Sequence, residues 1–400
     1  LSSALEKIHN KTGQKFVIII DEWDYILNNF PNNQVLLNDY ATFIESMFKG
    51  IQTTSYISLA YLTGILPIKC HNLLSSYNNF LEFSMFTPYP FEECFGFTQD
   101  EVKKLCAGKS QNFESVEKFY DGYIFNGIHI FNPNSVICSI ICNNCQSYWS
   151  RTGSYEKLAD YINLNFDGLQ DTIIQLLSES HYPLISSQYK SNINDFVDKE
   201  DVLIYLVHIG YLAYDNTSNK VFIPNLELFL EFDCAIRSIK NQNWANVIYA
   251  LNRSEKLLDD TINGREREVA EGIDKVHTDN VSILSYNNEL SLSCVISLAY
   301  YSAIKYYSII REFPLGKGFA DVTFLPRKNV NQPAILIELK WNKSEIGAIK
   351  QIESKKYHGS LSNITDNDVI LVGINYNKND KTHTCQIRKY DFNTKTIKPF

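Results

Sequence analysis

The sequence predicts an α/β protein built from more than one domain, and three observations carry that expectation. Residues 16–20, FVIII, form a continuous apolar run that ends in Asp21-Glu22-Trp23-Asp24. This is the pattern of a parallel strand covered on both faces that delivers acids at its C-terminal end. Residues 91–240 carry mostly helical periodicity, and from about residue 287 the order becomes helix, strand, strand, helix, strand. A chain of 400 residues exceeds one ordinary domain. The changes of pattern divide it into 1–90, 91–240 and 241–400.

Composition narrows the class. Charged residues make up 20% and apolar residues 44%, the balance of a globular protein with a sizeable core. No apolar run reaches the roughly 18 residues of a membrane span. Residues 1–14 are polar and lack the apolar centre of an export signal, so the expectation is a cytoplasmic protein with no membrane partner. The nine cysteines then read as reduced thiols. Cys138, Cys142 and Cys145 share one helical face, which suits buried or half-buried helix cysteines better than zinc, since no second pair or histidine follows at zinc spacing. The net charge of −8 is unevenly placed: residues 305–400 hold sixteen Lys and Arg against nine Asp and Glu, net +7, which leaves −15 for the rest. A polyanion would therefore meet the C-terminal part, although such an excess also suits a solvated face.

Taken in order, residues 1–11 read as a helix, Lys15–Ile20 as the first strand and Ser55–Leu62 as the second, followed by Thr63-Gly64. An apolar strand ending in Asp-Glu has the form of a Walker B element. Asp21 would hold the Mg²⁺ of a nucleotide, Glu22 would orient the attacking water, and Thr63 would touch a γ-phosphate. Acids also simply end many strands. No GxxxxGK[ST] occurs in the sequence, so ATP enters this reading only if a Walker A element is supplied upstream.

In the middle region, Thr98 to Glu101 forms a capping box that opens a helix. Residues 119–125 and 131–135 read as turns, the second starting a helix at Ser135. Val202–Tyr214 is apolar-periodic and Val221–Asn225 strand-like. Helix, helix and β-wing make a winged-helix pattern, here in an acidic half that favours a packing role over DNA contact.

Helices are expected over Trp244–Leu258 and Glu266–Val276, then a long amphipathic one from Asn287 to about Ile310, with Leu292, Val295, Ile296, Ala299 and Ala303 on its apolar side. Gly316 and Gly318 make a turn before strands Phe319–Phe324 and Ala334–Trp341. A helix Ser344–Lys356, capped by Ser344, and a strand Val369–Tyr376 follow. The period of two in AILIELKW sets Glu338 and Lys340 on one face and Ile335, Ile337 and Leu339 on the other. With Asp321 on the neighbouring strand, two carboxylates and an ammonium are costly to bury unless a divalent metal joins them. Read singly, Asp321 is equally a turn acid, Glu338–Lys340 an exposed ion pair and Glu289 a helix N-terminal acid.

The pattern G-x-x-D followed by an apolar strand with E-x-K, here Gly318 to Asp321 and then Glu338-Leu339-Lys340, resembles the PD-(D/E)XK nuclease superfamily. The whole chain resembles bacterial proteins that join an AAA-ATPase-like domain to such a C-terminus, through IIIDEWDYI, LAYLTGILPIK, FYDGYIF, LVHIGYLAYD, YNNELSL, GKGFADVTFLPRK, IELKW, AIKQIESKKY and VGINY. The resemblance implies a partial P-loop domain, a helical middle and a restriction-endonuclease-like α/β/α domain. It implies Asp321, Glu338 and the Leu339 carbonyl as ligands of Mg²⁺ or Mn²⁺, and Lys340 as the residue that positions the water and stabilises the phosphorane. Glu289 matches the superfamily's additional acid. Gln351 and Tyr357 fall near its Q-x-x-x-Y helix motif, with a longer spacing here. DNA, or RNA, is the implied partner. A non-catalytic nucleic-acid or protein-binding module is the other reading.

Overall fold

The computed structural model describes residues 1–400 except 31, 49–52, 66–79, 110, 150–154, 165, 167, 178–180, 185–195, 242–243, 280–288, 316–317, 328–329, 356–367, 393 and 395. The chain divides into two compact units, residues 1–169 with 181–233, and residues 170–180 with 234–400.

The first unit opens with α1 (Ser2–Thr12), β1 (Phe16–Ile20), α2 (Tyr25–Asn29), α3 (Gln34–Phe48), α4 (Thr53–Tyr56) and β2 (Ile57–Leu62). Strands β1 and β2 pair in parallel. Their inner face, with Ile18, Ile20, Ile57, Ala60 and Leu62, packs on Trp23, Leu27, Leu37, Ala41, Ile44, Met47 and Phe48. The expectation that β1 is covered on both faces is corrected: Val17 and Ile19 are 55% and 70% exposed, as are Leu59 and Tyr61 at 56% and 58%. An apolar run is compatible with either arrangement, and only the packed partners decide between them.

The chain continues through β3 (Phe97–Thr98), α5 (Gln99–Lys109), α6 (Phe113–Tyr120), β4 (Tyr123–Phe125), β5 (Ile128–Phe131) and α7 (Pro133–Cys142). The capping box is present: Thr98 N–H donates to Glu101 Oε2 at 2.9 Å and Glu101 N–H to Thr98 Oγ1 at 3.4 Å. Asn132 caps α7 at Ser135 N–H, two residues earlier than the predicted start. That helix ends at Cys142 because Asn143 turns left-handed at φ 48, so Cys145 lies off the helix and the shared face of three cysteines does not form. The cysteines among the described residues are free thiols.

Next come α8 (Tyr155–Ile162), α9 (Leu169–Leu177), β6 (Tyr182–Pro183), α10 (Lys199–His208), β7 (Ala213–Asp215), β8 (Lys220–Phe222) and α11 (Leu226–Ser238). The helical reading of 202–214 is corrected in its second half. Gly210 at φ 82 breaks the helix, and Ala213–Asp215 pairs with β8. Glu227 of α11, fully buried, pins the 146–149 loop by accepting Tyr148 N–H at 2.7 Å and Trp149 N–H at 3.1 Å.

The second unit holds α12 (Ala245–Ile262), α13 (Glu266–Asp279), α14 (Glu289–Ala299), β9 (Tyr307–Leu315), β10 (Gly318–Pro326), β11 (Ala334–Trp341), α15 (Glu345–Lys355), β12 (Val369–Asn377), β13 (Thr382–Asp391) and β14 (Thr396–Pro399). Among the described residues these strands make one mixed sheet in the order β14-β13-β12-β11-β10-β9, in which β11 and β12 are parallel. Both central strands are buried almost throughout. On one face, Ala334, Leu336, Val369 and Leu371 pack with Ile349 and Ile352 of α15. The opposite face meets α14 at β11 and α13 at β13.

The long predicted helix is corrected. It stops at Ala299, a 3₁₀ turn covers Tyr301–Lys305, and Tyr307–Leu315 is a strand. Tyr307, Ile309 and Ile310 suit a strand as well as a helix, and pairing with β10 decides the matter. The predicted start at Asn287 and the predicted turn glycine 316 lie outside the described residues. Strands β13 and β14 were not anticipated.

The edge of β13 shows how this sheet is finished. Strand β14 covers only Arg388–Asp391, which leaves the N–H groups of His383 and Ile387 on an open edge. Helix α13 takes both: Asp274 Oδ1 accepts His383 N–H at 2.7 Å and Glu266 Oε1 accepts Ile387 N–H at 2.8 Å. Eight helical residues rise about 12 Å and four strand residues about 13 Å, so two acids two turns apart match alternate N–H groups along the strand. The carboxylates protect an edge that would otherwise recruit another strand. Asp274→Ala should lower stability by on the order of 1–2 kcal/mol and promote self-association. Urea unfolding and light scattering of the single and Glu266→Ala/Asp274→Ala variants measure both effects.

Candidate active site

The site is built where two strands part. Strands β10 and β11 pair antiparallel through Val322↔Ile337, Thr323↔Leu336 and Phe324↔Ile335, and there the pairing ends. The next step of that register would set Asp321 opposite Glu338. Instead β10 continues with β9 while β11 continues with β12 as far as Trp341↔Tyr376. Into the fork goes the Asp321 side chain, whose Oδ2 accepts Leu339 N–H at 2.7 Å. A residue's N–H and C=O leave a strand by the same edge, so the edge that serves Asp321 also carries the Leu339 carbonyl.

Glu338 is 1% exposed. Its Oε1 accepts the Lys340 ammonium at 2.8 Å and also the Gln351 side-chain amide from α15, while its Oε2 has no hydrogen-bond partner among the described residues. Lys340 keeps 12% of its side chain exposed. Burial above all, and then the neighbouring Asp321 carboxylate, push Glu338 up to about 7, against the pull of Lys340 and the charge of Lys355.

Two residues that the sequence reading missed hold this arrangement. Gly373 of β12 sits beside Glu338, and a Cβ there would lie 2.4 Å from the Glu345 carbonyl oxygen and 3.0 Å from the Ala348 Cβ. Only a glycine lets α15 descend far enough for Gln351 to reach Glu338. Asn375, buried opposite Lys340, accepts Lys343 N–H at 2.9 Å and fixes the chain just after the lysine. Gly373 lies inside VGINY, but nothing in that run of apolar residues marks a helix crossing.

Asp321, Glu338, Lys340 and Gln351 are thus brought together. Glu289 opens α14, and its side chain, like residue Tyr357, lies outside the described residues. The donor set would suit a hard cation: two carboxylates and a carbonyl offer oxygen only, and among the described residues the buried Glu338 Oε2 lacks a partner. Among the described residues no three His, Cys, Asp or Glu side chains gather in a metal centre, so the carbonyl and water would complete the shell.

In the first unit, Asp21 and Thr63 meet at the ends of β1 and β2. Asp21 Oδ1 accepts the Thr63 hydroxyl and Glu22 N–H at 3.1 Å. Glu22 is exposed and left-handed at φ 50. The neighbouring Asp24, 1% exposed, accepts Asn28 Nδ2 at 2.8 Å and Ile65 N–H at 3.0 Å.

Residues 288–386 match the family model of the PD-(D/E)XK nuclease superfamily. Residues 1–74 match that of a predicted AAA-ATPase-like family. The chain therefore carries an AAA-ATPase-like segment at its N-terminus and a PD-(D/E)XK nuclease superfamily domain towards its C-terminus. It is also 23% identical over 163 residues to an "Uncharacterized protein in vnfD 5'region" of Azotobacter chroococcum mcd 1, covering 40% of this chain. The chain spans only 31% of that relative's length. Among the described residues no helix is long and apolar enough to cross a membrane.

The raised value of Glu338 has a signed consequence. The folded protein holds this proton more tightly than the unfolded chain, so its contribution to stability is full below about pH 4.5 and is lost as pH rises through about 7. The loss is on the order of 3 kcal/mol. Glu338→Gln should flatten this part of the stability curve, as measured by chemical unfolding from pH 5 to pH 8 without divalent ions.

Proposed function

We propose that residues 241–400 form a metal-dependent nuclease that hydrolyses phosphodiester bonds of DNA, with RNA as the second substrate class. The observation that carries this reading is Glu338, a buried carboxylate with one oxygen unpartnered, beside Asp321 at the strand fork and touched by Lys340. Asp321, Glu338 and the Leu339 carbonyl would hold Mg²⁺ or Mn²⁺. Bound there, the ion supplies Lewis-acid polarisation of the phosphate and a water of lowered pKa.

The chain's own residues do the rest. Lys340 orients the attacking water with its ammonium and offsets charge that develops on the phosphate. Gln351 holds Glu338 in place from α15. Glu289, at the start of α14, would serve as the additional acid that the resemblance implies. Lys340 rests paired with Glu338 at 2.8 Å, and with that carboxylate engaged by a cation its ammonium would be available to the phosphate.

Residues 1–90 we read as part of a P-loop regulatory domain, with 91–240 as a helical, winged-helix-like connector. Asp21 and Glu22 would serve a Mg²⁺-bound nucleotide and its water, and Thr63 its terminal phosphate. ATP chemistry there requires a Walker A element from outside this sequence.

The test is incubation with supercoiled plasmid, single-stranded DNA and RNA in Mg²⁺, Mn²⁺ or EDTA. Metal-dependent cleavage is expected, abolished in Asp321→Ala and reduced by about 100-fold or more in Lys340→Ala. Mn²⁺ should also raise the melting temperature of the wild-type chain and not that of Asp321→Ala. Binding of nucleic acid without cleavage under any metal would replace the nuclease reading with that of a binding module.

A further inference from the structure

We propose that Lys355 is a phosphate-binding residue of this site, gripping the backbone of the nucleic acid one helical turn beyond Gln351. The inference rests on the nuclease reading above and adds to it a residue outside the acid–lysine set.

Helix α15 has a fixed rotation on the sheet. Ala348, Ile349 and Ile352 are buried beneath it, and Gly373 lets its first turn press on β12. That rotation points Gln351 at Glu338. Residues four apart on a helix share a face and stand about 6 Å apart along the axis. Lys355 therefore continues the line from Glu338 through Gln351 away from the metal ligands. It is half-buried, and its charge is felt at Glu338.

As the last residue of α15, Lys355 also sits where the helix dipole favours a cation. Lys340 contacts Glu338 directly at 2.8 Å, whereas Lys355 lies one helical turn beyond Gln351 in the sequence of α15. The two ammonium groups then mark two successive points on a polyanion: the reacting phosphate at Lys340 and a neighbouring one at Lys355. A lysine that merely finishes a helix would show no dependence on substrate or salt.

The experiment compares wild type with Lys355→Met, which keeps the apolar stem, and Lys355→Arg, which keeps the charge. Steady-state cleavage of a duplex oligonucleotide in Mg²⁺ is the first readout. The salt dependence of binding in Ca²⁺, between about 50 and 200 mM, is the second. Lys355→Met should raise KM by about 5- to 10-fold with little change in kcat and lower the salt slope by about one, and Lys355→Arg should restore both. Unchanged KM and slope overturn the proposal, and so does a fall in kcat alone, which would make Lys355 a prop for Glu338. A wild-type chain that binds but does not cut overturns the nuclease reading, while equal salt slopes of wild type and Lys355→Met overturn this one. If Lys355→Met is less well folded by circular dichroism, Lys355→Gln carries the same comparison.

Discussion

The separation of β10 from β11 is the constraint on which the second unit depends. Three residue pairs hold the strands together, and at the fourth a carboxylate takes the place of a carbonyl: Asp321 accepts the N–H that the ladder would have used. A main-chain donor is thereby satisfied without a partner strand, which lets the strands diverge without leaving an unpaired group. The same exchange brings a second acid to the side of Glu338. Had the antiparallel ladder continued, Asp321 and Glu338 would have been an ordinary cross-strand pair of like charge, which is destabilising. The fork instead leaves Asp321 bonded to Leu339 N–H, with its carboxylate close enough to be felt at Glu338.

Holding Glu338 there is expensive, and the surrounding structure shows how the cost is met only in part. Strand β11 is buried on both faces, so the carboxylate cannot move into water without dragging the sheet apart. Lys340 and Gln351 both serve Oε1, and neither serves Oε2. A buried ion pair with one orphaned oxygen gives back less than its desolvation costs, and the raised Glu338 value expresses that imbalance. A site tuned for stability alone would have placed the amide on the empty oxygen. On the nuclease reading proposed above, the bare oxygen is the one a cation would take, an exchange of stability for function.

How legible this was depended on whether the signal was local. The alternation in AILIELKW put Glu338 and Lys340 on one face, whereas Gln351 was singled out only by the resemblance to the superfamily's helix motif. What was not legible depends on long-range pairing. Tyr307–Leu315 fits a helical stripe as readily as a strand, and β10 decides. The acids Glu266 and Asp274 look like helix surface charges, and nothing local shows that β13 stands over them, 109 residues away in the case of Asp274. Gly373 is a small residue within an apolar strand until the helix it admits is in place. In the N-terminal unit, FVIII signals a strand but not how many faces are covered, and the exposed Val17 and Ile19 mark the gap.

The DEWD run after β1 makes the same point at the scale of one turn. Its acids are alike in sequence and unlike in environment. Asp24 is enclosed, with one oxygen shared between an asparagine amide and a main-chain N–H, and Gly64 must lack a side chain because a Cβ would meet Asp24 and the Trp23 ring at less than 3 Å. It is a structural acid that ties β1 to the chain leaving β2. Asp21 lies at the exposed strand end with the Thr63 hydroxyl on its Oδ1, and Glu22 is turned outward by a left-handed backbone that favours neither packing nor pairing. Strain at an exposed, unpacked acid is not repaid by contacts in the fold. Of the three carboxylates, Asp21 and Glu22 lie at the exposed strand end and Asp24 is enclosed in the fold.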